Sequence, residues 1–275
     1  MSDFLVSKET VGETSVSYST QAVGIEVQKV SAVETLDLTQ LLIKCITEML
    51  GMFIFIFLSL GGVQSALKTN ANELSVNPTL AFIEIAMCFG FGLSAAIFFS
   101  YRISGGALNP AVNFGLFVAG VMDPITLAAY TIAQMAGASI ACGIVSVVFP
   151  GDFKGANQIF AGTSVAQAFF LELILTAGLV LIVLFLAVEK SKITFYAPMV
   201  IGTYVFIAHL LAIPYTNTSI NPARSFGASI ASGIWNDHWL FWVAPLLGAS
   251  LSGALYRFYK FAEYHTLNPG QDADH

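Results

Sequence analysis

Two short stretches decide the fold: Ser104-Gly105-Gly106-Ala107-Leu108-Asn109-Pro110-Ala111-Val112 and Ile220-Asn221-Pro222-Ala223-Arg224-Ser225-Phe226-Gly227. Each contains Asn-Pro-Ala followed by an apolar run, Asn109 to about Val121 and Asn221 to about Ile234. An Asn cap with proline at the first helical position is a strong helix start. At 1.5 Å per residue each helix reaches only about 20 Å, short of a hydrocarbon core about 30 Å thick. These are expected to be half-helices that enter a membrane and return, which is tolerated only where the backbone packs in protein or lines a watery cavity.

The surrounding composition places them in a bilayer. Of 275 residues 56% are hydrophobic and only 10% charged, with a mean hydropathy of +0.76, whereas soluble domains carry about 25% charged residues. Six stretches are long and apolar enough to span, roughly 41–63, 79–101, 124–149, 164–188, 195–213 and 238–258. The net charge of −6 excludes a nucleic-acid partner, whose phosphates demand a basic face. Cys45, Cys88 and Cys142 fall inside apolar runs and read as buried thiols; their spacing fits neither a disulfide framework nor a metal site. No cofactor or metal is implied. Residues 1–40 read as a polar, solvated tail without a secretory signal, 41–260 as the membrane domain, and 261–275 as a second tail.

The chain repeats. Glu48 in the first span is matched by Glu172 in the fourth, and each is followed by an Asn-Pro-Ala, 61 and 49 residues on. Three spans per half is an odd number, so the halves, about 41–150 and 164–260, must be inverted, with a site at the midplane between them. The expected fold is an all-α integral membrane protein of six transmembrane helices plus two re-entrant half-helices in inverted repeats. Eight of the eleven basic residues then lie on the side of the N-terminus, which places both termini in the cytoplasm.

Six spans with two Asn-Pro-Ala half-helices, the second followed by Arg224, resemble the aquaporin (major intrinsic protein) family over about residues 41–260. His209-Leu210-Leu211-Ala212-Ile213 and His238-Trp239-Leu240-Phe241-Trp242 match as well. The resemblance implies a passive channel, not an enzyme, that passes water as a homotetramer with one pore per subunit. It also assigns residues. Asn109, Pro110, Ala111, Asn221, Pro222 and Ala223 would form the two tips. Arg224, His209 and Thr218 would line a selectivity filter with Phe89, twenty residues before Asn109, Phe91 being the competing choice. Glu48 and Glu172 would be struts accepting hydrogen bonds from the re-entrant backbone rather than a proton relay.

His209 stands where glycerol facilitators usually carry glycine, and Ser225 where they tend to carry Asp; both favour water over glycerol. Thr218, where animal water channels commonly have Cys, leaves ammonia or hydrogen peroxide open, with glycerol and urea further alternatives. A low-flux junction or scaffold protein is the competing class. The plasma membrane is the expected location, with an internal osmoregulatory compartment as the alternative. Glu84 has no symmetric mate. Small residues such as Gly137 with Ala141 and Ala249 with Gly253 are expected to pack the monomer, and the Ser/Thr-rich Ser15 to Thr20 is a candidate regulatory tail.

Overall fold

The computed structural model describes residues 37–72 and 78–272; the tail readings on residues 1–36 lie outside them. Among the described residues eight α-helices follow one another: α1 Leu38–Asn72, α2 Pro78–Ser104, α3 Pro110–Ala119, α4 Pro124–Val148, α5 Val165–Ile182, α6 Ala197–Thr216, α7 Pro222–Ser232 and α8 Leu240–Phe261. The starts are written locally. Asp123 Oδ1 accepts from the Ile125 and Thr126 N–H groups at 2.9 Å each, with Pro124 in the first turn of α4. Ser164 and Gln167 cap α5 reciprocally.

Helix α1 outruns its expected span. Nothing in Gln64 to Asn72 breaks a helix, so the helix continues for 35 residues, about 50 Å. Apolarity marks the bilayer portion of a helix, not its end. Among the described residues five helices, α1, α2, α4, α5 with its extension to Val188, and α6, are long and apolar enough to cross a membrane. The sixth, α8, has 22 residues and is diluted by Ser250, Ser252, Arg257 and Lys260. Its place in the bundle is that of a spanning helix, because it packs on α5 as α4 packs on α1.

The halves exchange their short helices. α3 packs chiefly against α8, and α7 against α4, while α2 and α6 close the bundle across the middle. Close approach sets these crossings. A Cβ at Gly137 would lie 2.2 Å from the Met49 carbonyl oxygen, and one at Gly248 2.3 Å from that of Leu173. Met49 and Leu173 each follow a paired glutamate, so small residues on α4 and α8 hold the two glutamates inside the bundle. Gly253 in turn lets α8 meet the Gly115 carbonyl of α3.

Helix α5 ends in a π-helical segment, Val183–Val188. Just beyond it, Glu189 accepts from the Tyr256 hydroxyl and from Lys260 Nζ at 3.2 Å. The segment after α8 doubles back here, where the Lys192 N–H donates to the Gln271 carbonyl at 3.2 Å and Ser191 pairs with Asp272.

Two outcomes follow. Gly248→Ala should cost about 1–3 kcal/mol by overpacking α5 against α8, seen as a lower melting temperature in detergent. Gly143→Ala, where an added Cβ meets nothing within 4 Å, should change stability by less than about 0.5 kcal/mol. At Glu189, partial burial raises the carboxyl, but donation from Tyr256 and Lys260 outweighs it and holds the group below its ordinary value. A lowered acid stabilises the fold above its unfolded pKa, about 4.3, and the gain is lost as pH falls through the lowered value. Hydrogen-exchange protection of the Lys192 amide should therefore hold at neutral pH and fall below about pH 4, and Glu189→Gln should abolish that dependence.

Candidate functional site

The two loops that precede the half-helices are superimposable in register. Gly105, Gly106 and Leu108 have positive φ, and so do Asn217, Thr218 and Ile220, each four, three and one residues before its asparagine. Glycine adopts this conformation freely; Thr218 at φ 45 is a β-branched residue held in a strained one. The turned backbone aims its N–H groups at the glutamates. Glu48 accepts from the N–H of Ala107 (3.2 Å) and Leu108 (2.8 Å) and from Ser104 Oγ (2.5 Å). Glu172 accepts from the N–H of Ser219 (2.9 Å) and Ile220 (2.7 Å) and from Thr216 Oγ1 (2.6 Å). Both side chains are fully buried.

Glu48 has a further donor that sequence reasoning missed, Gln134 Nε2 of α4 at 2.8 Å, whose Oε1 accepts from Asn113 Nδ2 at 2.8 Å. A signal existed: Gln134 is a polar residue in a span without charges, and Asn113 sits one turn after Asn109.

At the tips, Asn109 Oδ1 accepts from the Ala111 N–H at 2.9 Å, and Asn221 Oδ1 from the N–H of Ala223 and Arg224 at 3.1 and 3.2 Å. Each amide then crosses to the other half: Asn109 Nδ2 donates to the Ile220 carbonyl at 2.7 Å, and Asn221 Nδ2 to the Leu108 carbonyl at 2.9 Å. An amide has two N–H groups, so one remains at each tip. Both asparagines line a cavity of about 220 Å³.

That cavity runs from Tyr101, Ala187 and Lys190 at the end of the bundle where α5 finishes to His209 and Arg224. Its apolar wall is made of residues at four-residue steps: Phe89, Leu93, Ile97 and Tyr101 on α2, and Ile201, Val205 and His209 on α6. It closes on a neck where the Phe89 and His209 rings stack with centroids 3.9 Å apart and Arg224 Cζ lies 5.2 Å from the Phe89 ring centre. Phe89 is 1% exposed and Phe91 55%; the helix turns Phe91 away from the lumen. Beyond the neck a second cavity of about 510 Å³ opens, lined by Phe153, Gly155, Gln158 and Asn217 among others.

The neck holds polar atoms that the protein leaves unpaired. His209 Nδ1 sits 2.8 Å from the Val205 carbonyl, which can only accept, so Nδ1 donates. Among the described residues, His209 Nε2 and Arg224 Nε, both of residues that line the first cavity, are buried without a hydrogen-bond partner; Thr218 Oγ1 is buried and unpaired as well, but Thr218 lines neither cavity. Arg224 is otherwise held fast, Nη1 by the Gly155 carbonyl (2.6 Å) and Asn157 Oδ1 (2.5 Å), Nη2 by the Asn217 carbonyl (3.1 Å). Asn157 is the second residue that sequence reasoning missed; it carries no motif.

Inverted helical halves threaded by a lumen with a polar neck are the architecture of a membrane channel. The family model "Major intrinsic protein" matches residues 35–256, and the chain belongs to this family of channels. It is 43% identical over 235 residues to "Aquaporin-1" of Gibberella zeae, covering 85% of this chain and 74% of that one. To "Aquaporin-7" of Botryotinia fuckeliana it is 42% identical over 238 residues, covering 84% of this chain and 52% of that one, so it spans about half the length of that relative. The fold is similar to the X-ray structure of the aquaglyceroporin from Plasmodium falciparum, with a TM-score of 0.69, 24% identity, and coverage of 83% of this chain and 100% of that one.

The two glutamates, each with a backbone N–H on both oxygens, should respond alike to amide substitution. Glu172→Gln turns an amide N–H₂ toward backbone donors and should cost about 1–3 kcal/mol. Glu48→Gln should cost about as much: Gln134 can reverse its amide to accept from the new donor, with Asn113 reversing in turn, but the Leu108 N–H on the same oxygen still loses its acceptor. Melting of the two purified variants in detergent checks both losses.

Proposed function

We propose that the chain is a passive, water-selective channel that conducts single-file water down osmotic gradients and excludes protons and ions. The observation that supports this best is the pair of buried polar atoms at the neck without a partner among the described residues, His209 Nε2 and Arg224 Nε. Buried polar groups are satisfied as a rule, and a permeant small enough to enter can supply the missing bonds. Phe89 and His209 narrow the passage in favour of water over glycerol. Thr218, expected from the sequence to belong to the filter, keeps ammonia or hydrogen peroxide as alternatives.

Proton exclusion follows from the tips. Each half-helix start carries roughly half a positive charge, and the remaining N–H of Asn109 and of Asn221 points a donor into the lumen. A water oxygen accepts from both, its hydrogens turn outward, and a continuous proton wire is broken. The positive helix ends and the Arg224 guanidinium repel cations. Release stays fast because two neutral amide bonds bind water weakly. With the Lys/Arg bias read as cytoplasmic, the cavity lined by the two asparagines opens to the cytoplasm and the second cavity to the outside. Apolar side chains such as Phe98, Ile132, Val147 and Phe170 are exposed on the bundle and suit lipid or further subunits.

The test is stopped-flow shrinkage of proteoliposomes under an impermeant osmotic step, then re-swelling in glycerol. Wild type should pass water quickly and glycerol slowly. Arg224→Ala and His209→Ala should raise glycerol re-swelling by about tenfold or more, equivalent to about 1.4 kcal/mol of barrier. Glycerol entry as fast as water in wild type would assign a broader pore. Water flux no faster than in empty liposomes, with residues 2–35 removed as well, would leave the scaffold reading.

A further inference from the structure

We propose that Asn157, in the connection between α4 and α5, is the positioning residue of the filter: it holds the Arg224 guanidinium at the neck and so sets which solutes are refused. This rests on the reading of Arg224 as a filter residue. Arg224 is buried, and Asn157 is the one side chain among the described residues that binds its guanidinium, the other partners being the Gly155 and Asn217 carbonyls. Asn157 is itself buried and bound on both ends. Its Nδ2 donates to the Thr216 carbonyl at 3.0 Å, and its Oδ1 accepts from Ser225 Oγ at 2.8 Å as well as from Arg224.

The orientation of this amide is fixed by its neighbours. Arg224 has donors only and the Thr216 carbonyl accepts only, so a flipped amide would lose both contacts. Thr216 in turn donates to Glu172 at 2.6 Å, which holds the loop before α7. One amide therefore locks the connector between the halves, the end of α6 and the start of α7 around a single charge. The first half has a counterpart in Gln134, which joins Asn113 to Glu48. Asn113 and Ser225 occupy the same position after their asparagines, but only the second half has an arginine beside it to be aimed.

An arginine side chain is long and rich in rotamers. Without the Asn157 oxygen, Nη1 keeps one carbonyl at the edge of the 510 Å³ cavity, and the guanidinium gains room to swing away from the Phe89 face. Water should still pass, while solutes slightly larger than water gain entry.

The experiment reads water shrinkage and urea and glycerol re-swelling in proteoliposomes carrying wild type, Asn157→Ala, Arg224→Ala and the double variant. Asn157→Ala should conduct water and raise solute entry by about fivefold, the loss of one hydrogen bond of roughly 1 kcal/mol. The double variant should leak no more than Arg224→Ala alone, because Asn157 acts through Arg224. Asn157→Asp keeps an acceptor for Arg224 and Ser225 and should refuse solutes better than alanine. If alanine fails to reconstitute, Asn157→Ser keeps a buried polar group that cannot reach Nη1 and should leak likewise. Wild-type exclusion by the alanine or serine variant, additive leaks in the double variant, or aspartate as leaky as alanine would each overturn the proposal. Absence of any leak in Arg224→Ala would instead refute the filter reading beneath it.

Discussion

Backbone that turns round in the middle of a membrane must find partners for its N–H groups inside the protein. Here two glutamates supply them, and the rest of the structure is arranged about that requirement. A carboxylate is an acceptor at both oxygens, so Glu48 and Glu172 can each take several donors from one loop. Meeting them forces Leu108 and Ile220 into left-handed conformations, and the same turn presents the Leu108 and Ile220 carbonyls to the asparagine of the opposite half. The glutamates themselves stay inside because Gly137 and Gly248 let α4 and α8 approach the very next residue. Helix crossing, loop conformation and tip geometry thus share a single cause.

The repeat is close in backbone and divergent in side chains. Ser104 and Thr216, Leu108 and Ile220, Asn109 and Asn221 do the same work in both loops. Where the halves differ, the difference is polar: the first half ends its hydrogen bonds in the neutral Asn113–Gln134 pair, and the second ends them in Arg224, Ser225 and Asn157. Of the two tips, the second alone therefore has an arginine next to its helix start.

Much of this was legible in the sequence, for reasons that particular residues make plain. Asn-Pro-Ala states a helix start in three letters, and a buried glutamate paired with a second at matching position announces inward-facing backbone. The stacking of Phe89 on His209 was half legible: the stripe 89, 93, 97, 101 distinguishes Phe89 from Phe91, but only once the face of α2 is known. The reach of α1 to Asn72 was not legible, because hydropathy reports the solvent around a helix rather than its hydrogen bonding. Nor was the π-helical end of α5. Asn157 was the least legible of all. It lies in an irregular connection, and its importance arises from which atoms the fold brings to it, a property with no local signature.

The crossed amides also constrain how the molecule is made. The chain emerges from the ribosome in order, so Asn109 and α3 enter the membrane well before their partners exist. The carbonyl that receives the Asn109 amide belongs to Ile220, and the helix that covers α3 is chiefly α8, more than a hundred residues further along the chain. Until then the first tip has an unsatisfied amide and an unsatisfied Leu108 carbonyl at a depth where lipid offers neither donor nor acceptor. The nascent first half must keep that tip in water or in the insertion machinery. The first half is therefore not a finished unit by itself: its tip is completed only by atoms of the second half.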